Sequence, residues 1–118
     1  MIDVSFEKSI KIEEYKFEKR TITQIDSNAS FNRLWPLVYL ILSRSRQEIY
    51  VGETFNVKSR MIDHLSNSDR KRLDSLYLLT SDKFNKSATL DIESLLIKYL
   101  SGDGMYTLQN ANAGLMHH

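Results

Sequence analysis

The sequence predicts an α/β (α+β) domain: a small, mainly antiparallel three-stranded sheet flanked by helices. Three observations carry that expectation. Two short runs rich in β-branched and aromatic residues, 37–42 and 47–51, are separated by a polar segment, the pattern of a β-hairpin. A third apolar run, 73–80, contains Leu76, Tyr77, Leu78 and Leu79 and reads as a strand buried on both faces. Two further segments, 56–66 and 87–101, carry helix start and stop signals.

In chain order, residues 1–34 read as an N-terminal extension of edge strands and turns that packs on the core, and 35–118 as the main domain. Ile10-Lys11-Ile12 and Tyr15-Lys16-Phe17 alternate apolar and charged residues, as half-buried or edge strands do. Glu13, Glu14, Glu18, Lys19 and Arg20 read as a solvated face. Residues 26–30 form a turn or cap cluster, and a short helical turn is expected over 31–35. Pro36 biases the residue before it away from helix and marks the start of the first core strand. Gly52 is expected to end the second strand, where a missing Cβ allows a sharp turn or a close backbone approach.

Asn56 is a good N-cap for the first helix. Val57, Met61 and Leu65 form its apolar stripe, and Arg60 and His64, four residues apart, lie side by side along the edge. Taken singly, they read as a surface arginine and a histidine favoured by the helix dipole. Arg70-Lys71-Arg72 reads as surface charge, with phosphate contact as the alternative. The second helix is capped by Asn85 or Ser87 and stopped by Gly102 and Gly104. On its helical wheel Asp91, Ser94 and Lys98 share a polar arc, while Leu90, Leu96, Ile97 and Leu100 surround Glu93. A carboxylate on an apolar side has to be paired, protonated or bound to a cation. Two partners stand open: a salt bridge, for instance to Arg60, or a metal ion.

At 118 residues the chain is one domain with room for a real core. It has no apolar run of membrane-spanning length and no signal-peptide core, so no membrane association is expected. The absence of cysteine excludes disulfides and thiolate metal sites and fits a cytoplasmic location. A formal net charge of +1 is low for a free-standing DNA-binding module. Grip on a nucleic acid is then local and modest, or supplied elsewhere.

These elements resemble the GIY-YIG nuclease family. Leu37-Val38-Tyr39 stands where the family has Gly-Ile-Tyr, and Tyr50-Val51-Gly52 where it has Tyr-Ile-Gly. The spacings Tyr39-x10-Tyr50, Tyr50-x9-Arg60 and Arg60-x3-His64 fit the family, and Glu93 fits its metal-binding glutamate. Leu37 departs from the first glycine of the motif, and Glu53 stands where several family members have lysine. Asn110 and Asn112 both compete for the family's asparagine, and both also read as plain turn residues. Trp35-Pro36-Leu37-Val38-Tyr39, Gly52-Glu53-Thr54 and the segment 84–93 are similar to GIY-YIG domains fused ahead of a helicase-like ATPase domain, so a fused helicase/ATPase partner is expected.

The resemblance implies a metal-dependent endonuclease domain that hydrolyses nucleic-acid phosphodiester bonds, with DNA as the expected substrate. Hydrolysis needs a hard cation, a cationic side chain, a positioned water and a proton route. Glu93 is the implied ligand of Mg²⁺ or Mn²⁺. Tyr39 positions or activates water, with Tyr50, Arg60 and His64 around the scissile phosphate. Gly52, Thr54, Lys58 and the asparagines Asn110 and Asn112 are the implied substrate-binding residues. Tyr39, Tyr50, Arg60, His64 and Glu93 are therefore expected to line one concave surface. The alternative is a catalytically weak nucleic-acid-binding or targeting module on the same scaffold.

Overall fold

A computed structural model describes residues 10–26 and 36–110. Among these residues the elements run β1 (Lys11–Lys16), α1 (Lys19–Asp26), β2 (Leu37–Ser43), β3 (Glu48–Thr54), α2 (Val57–Leu65), a 3-10 turn (Arg70–Arg72), β4 (Ser75–Thr80), α3 (Lys86–Asp103) and β5 (Thr107–Leu108). They build a five-stranded sheet in the order β1-β4-β2-β3-β5, antiparallel except where β5 joins β3. The expected α/β class holds, with two strands added at the sheet edges. No helix among the described residues is long and apolar enough to cross a membrane.

β2 is the central strand, and it is buried on both faces because its side chains alternate between two cores. Leu37, Tyr39 and Ile41 face a core built with Phe17, Ile22, Ile25, Val57, Met61, Leu76 and Leu78, under α1 and α2. Val38 and Leu42 face a second core with Ile49, Val51, Phe84, Ile92 and Leu108, under α3. Each large apolar side chain so buried contributes roughly 1.5–3 kcal/mol. The two helical layers thus lie on opposite faces of the sheet.

The hairpin forms where expected, but its second strand continues to Thr54. Gly52 does not end it: Gly52 lies within β3, paired with Tyr39. The 44–47 turn closes through Gln47, whose φ of 52° is unusual for a residue with a side chain. The Asn56 cap is made, its Oδ1 accepting from Ser59 N at 3.1 Å, an interaction typically worth ~1 kcal/mol. Asn85 caps α3 in the same way, accepting from Ala88 N at 2.8 Å. Gly102 lies inside α3, and the helix stops at Gly104, which takes φ 72° in the left-handed region.

Three expectations need correction. Helix α1 stands in the N-terminal extension, where edge strands and turns were expected; Lys19 and Arg20 at its start are exposed as expected, and of the 26–30 turn cluster only Asp26, its last residue, lies among the described residues. Its Thr21, Ile22, Thr23 and Ile25 are β-branched and poor helix formers, so burial of Ile22 and Ile25 against the α2 layer, rather than local propensity, holds it. The two strand fragments before it are one edge strand, β1, paired with β4 from Lys11 to Lys16. β4 begins only at Ser75, and Leu76 and Leu78 are its fully buried residues, while Tyr77 and Leu79 are half-buried against the second core. The helical turn expected over 31–35 lies outside the described residues.

Candidate active site

The site starts from the pairing of Tyr39 with Gly52 across the hairpin. A Cβ at position 52 would meet Tyr39 Oη at 2.3 Å and Tyr39 Cζ at 2.4 Å. Glycine is thus what lets the Tyr39 ring lie across β3. The ring is fully buried, and its Oη meets His64 Nε2 at 2.6 Å. His64 arrives from the last turn of α2, on the buried face it shares with Val57 and Met61. The expected stripe had Leu65 in that place; His64 takes it, and Leu65 is half-buried. Tyr50 completes an aromatic cluster, stacked on Tyr39 at 6.3 Å between centroids and tilted against His64 at 4.8 Å.

Arg60, one helical turn before His64, stands beside the Tyr39 hydroxyl and favours its ionised form. Its ion pair with Asp63, 3.8 Å and well exposed, adds little. Burial nevertheless pushes the Tyr39 hydroxyl above its ordinary value of 10.0, with Tyr50 adding to the rise. Burial also pulls His64 down to about 3, helped by the positive charges of Arg60 and Arg70. A protonated phenol beside a neutral imidazole makes Tyr39 the donor and His64 Nε2 the acceptor, which assigns the remaining ring proton to Nδ1.

Arg70 is the functional candidate that sequence reasoning placed on the surface. Its guanidinium carbon lies 4.6 Å from the Tyr50 ring centroid, a cation–π contact, and its charge reaches His64. The basic run was a visible signal. Which of its three members turns inward was not, because that depends on the 3-10 turn. There Arg72 pairs with Glu48 at 2.8 Å and Lys71 is exposed.

Glu93 comes from the opposite layer. It is half-buried, not enclosed: Leu90 is 42% exposed, and the helix buries Thr89 and Ile92 instead. Apolar residues spread over more than half of the circumference of α3, with Leu95 and Tyr99 in solvent, so a helical wheel does not pick its inner face. Glu93 makes no ion pair or hydrogen bond among the described residues, so the open salt bridge to Arg60 is not formed among them. Its field does reach Tyr39. Four of the five expected residues thus form one tight cluster, with Tyr39 and His64 buried within it rather than lining a concave surface, and Glu93 joins them through charge rather than contact.

Burial first, and the neighbouring Glu53 second, hold the Glu93 carboxyl above its usual range, with Lys86 opposing. Glu53 itself accepts from Lys86 Nζ at 2.5 Å and from Thr89 Oγ1 at 3.3 Å. Among the described residues no three His, Cys, Asp or Glu side chains converge as a closed metal cage. Glu93 is the carboxylate of the site that could hold a hard cation, with water and phosphate as the cation's other ligands.

The expected substrate-binding residues have mixed surroundings. Gly52 lies under the Tyr39 ring. Thr54 Oγ1 is buried and shapes the turn into α2, accepting from Asn56 N at 3.0 Å. Lys58 is exposed on the first turn of α2. The Asn110 side chain imitates a strand on the edge of β3, accepting from Val51 N at 2.8 Å and donating to Val51 O at 2.7 Å. Asn112 lies outside the described residues.

The family model described as the GIY-YIG catalytic domain matches residues 36–101, from Pro36 into the last turns of α3. That span takes in Tyr39, Tyr50, Arg60, His64 and Glu93. No curated protein and no solved structure matches the chain. Proteins of the matched family are nucleases that act on nucleic acid and generally use divalent metal ions. With more than half of its length matched and the α/β sheet in place, the chain belongs to the GIY-YIG catalytic domain family.

Proposed function

We propose that this chain is a metal-dependent endonuclease that hydrolyses phosphodiester bonds in DNA. The observation that carries the reading is the buried Tyr39–His64 pair at 2.6 Å with Arg60 beside it. A phenol in contact with a neutral imidazole has somewhere to send its proton. As the oxygen of a water attacks phosphorus, the water's proton passes to Tyr39 Oη and the Tyr39 proton passes to His64 Nε2. The bond to the leaving oxygen breaks on the far side, and that oxygen takes its proton from solvent. His64 is a weak base at about 3 in the free protein because burial disfavours its charged form, with the positive charges of Arg60 and Arg70 adding to the effect. An arriving phosphate offsets the contribution of the two arginines and so raises its basicity.

Arg60 offers a planar fork to the phosphate oxygens. Glu93 would hold Mg²⁺ or Mn²⁺, and the cation, when bound, supplies positive charge to the developing oxyanion. The low net charge supports a further part of the reading, that a fused helicase or ATPase domain supplies most of the grip. The test is a plasmid-nicking assay with Mg²⁺ or Mn²⁺ and an EDTA control, on wild type and Glu93→Gln. Nicking that needs metal and Glu93 supports the proposal. Nicking that survives EDTA, or none at all from folded protein, overturns it.

A further inference from the structure

The three basic residues of the 3-10 turn have different environments. Arg72 is bound to Glu48, and Lys71 stands in solvent. Arg70 is half-buried with its guanidinium over Tyr50, and its Nε is buried with no hydrogen-bond partner. Arg44, Arg60 and Arg72 each have a carboxylate within 4.0 Å, whereas Arg70 has none among the described residues. Its positive charge is therefore uncompensated, at the rim of the Tyr39–Tyr50–His64 cluster.

The turn that carries it is held firmly. Asn67 Oδ1 accepts from Asp69 N at 2.9 Å and from Arg70 N at 3.1 Å. Asp69 O accepts from Gln109 Nε2 at 3.2 Å and from Arg72 Nε at 3.3 Å. A cation fixed in place without a counter-ion is preorganised for an anion, because ordering it costs nothing further on binding. The aromatic face beneath it holds the guanidinium plane without using its outer N–H donors.

We propose that Arg70 is a second phosphate-binding arginine of this site, taking a backbone phosphate of the bound strand next to the one that Arg60 faces. This rests on the nuclease reading for its substrate but concerns binding alone. In this role Arg70 does not enter the chemical step. It positions the strand, and Tyr50 positions Arg70.

The experiment measures affinity for a duplex oligonucleotide in EDTA over a salt series, with the full chain. The proteins are wild type, Arg70→Gln, Arg70→Lys and, on the far edge of the sheet, Lys11→Gln. Arg70→Gln is expected to bind roughly tenfold or more weakly at low salt. Its slope of log affinity against log salt should be shallower by about one. Arg70→Lys should keep the wild-type slope, and Lys11→Gln should match wild type throughout. In cleavage assays Arg70→Gln should raise KM with kcat little changed.

A wild-type slope for Arg70→Gln, with only its melting temperature lowered, overturns the proposal and leaves Arg70 as a packing partner of Tyr50. So does a kcat collapse at unchanged KM, or a wild type that binds no duplex. If wild type binds with an Arg70-dependent slope yet never cleaves with Mg²⁺ or Mn²⁺, the nuclease reading fails and the phosphate role of Arg70 stands.

Discussion

Replacing Gly52 with alanine adds one methyl group at the place where the site has no room. The new Cβ would stand 2.3 Å from Tyr39 Oη and 2.4 Å from Cζ, whereas ordinary contact begins near 3.4 Å. The ring must therefore retreat by about 1 Å. It cannot swing into solvent, because Tyr39 is fully buried between β3 and α2. Overpacking of this kind costs typically 1–3 kcal/mol. For a domain of this size that lowers Tm by roughly 5–15 °C. The same displacement exceeds what the 2.6 Å contact with His64 tolerates. A reacting group misplaced by ~1 Å loses about 100-fold in rate. Melting temperature and nicking rate, measured on one preparation of Gly52→Ala, give both numbers. A variant that melts with wild type and nicks at the wild-type rate would show that the Tyr39 ring does not depend on a bare backbone at position 52, and the site geometry described above would be wrong.

Tyr39→Phe keeps the ring and removes the hydroxyl, leaving His64 Nε2 buried without a partner. Stability should fall by about 1–2 kcal/mol in denaturant titration, and cleavage should be lost while duplex binding persists. Glu93→Gln should cut nicking by orders of magnitude in a folded protein. Because burial and Glu53 raise the Glu93 carboxyl, its ionised form destabilises the fold once pH exceeds the unfolded value, so the glutamine variant should be as stable as wild type or more so near neutral pH. His64 gives a pH test. Its folded value of about 3 lies below the unfolded 6.5, so between these values the unfolded chain holds a proton that the folded one lacks. Stability should therefore decline as pH falls from about 6.5 toward 3, by up to about 1.4 kcal/mol per pH unit. Subtracting the pH profile of His64→Gln isolates this contribution, and identical slopes in the two proteins would refute the neutral buried imidazole.

What the sequence determined by itself is the part governed by neighbours along the chain. The hairpin, the Asn56 and Asn85 caps and the αL stop at Gly104 depend on residues a few positions apart, and all formed. The spacing of Tyr39, Tyr50, Arg60 and His64 was legible because a two-residue period and a helical turn convert it into positions on adjoining elements. Other features needed the tertiary structure. Helix α1 exists against the propensity of its β-branched residues because α2 offers a surface on which to bury Ile22 and Ile25. The inner face of α3 is set by contact with the sheet, since an apolar side that takes in more than half of the helix circumference carries no single preferred direction. Arg70 reaches the site through a turn held by Gln109, 40 residues further on, and Asn110 completes a strand edge 59 residues away. Contacts of that span leave no periodic trace in the sequence, because the spacing of each partner from its own neighbours along the chain does not encode the position of the other.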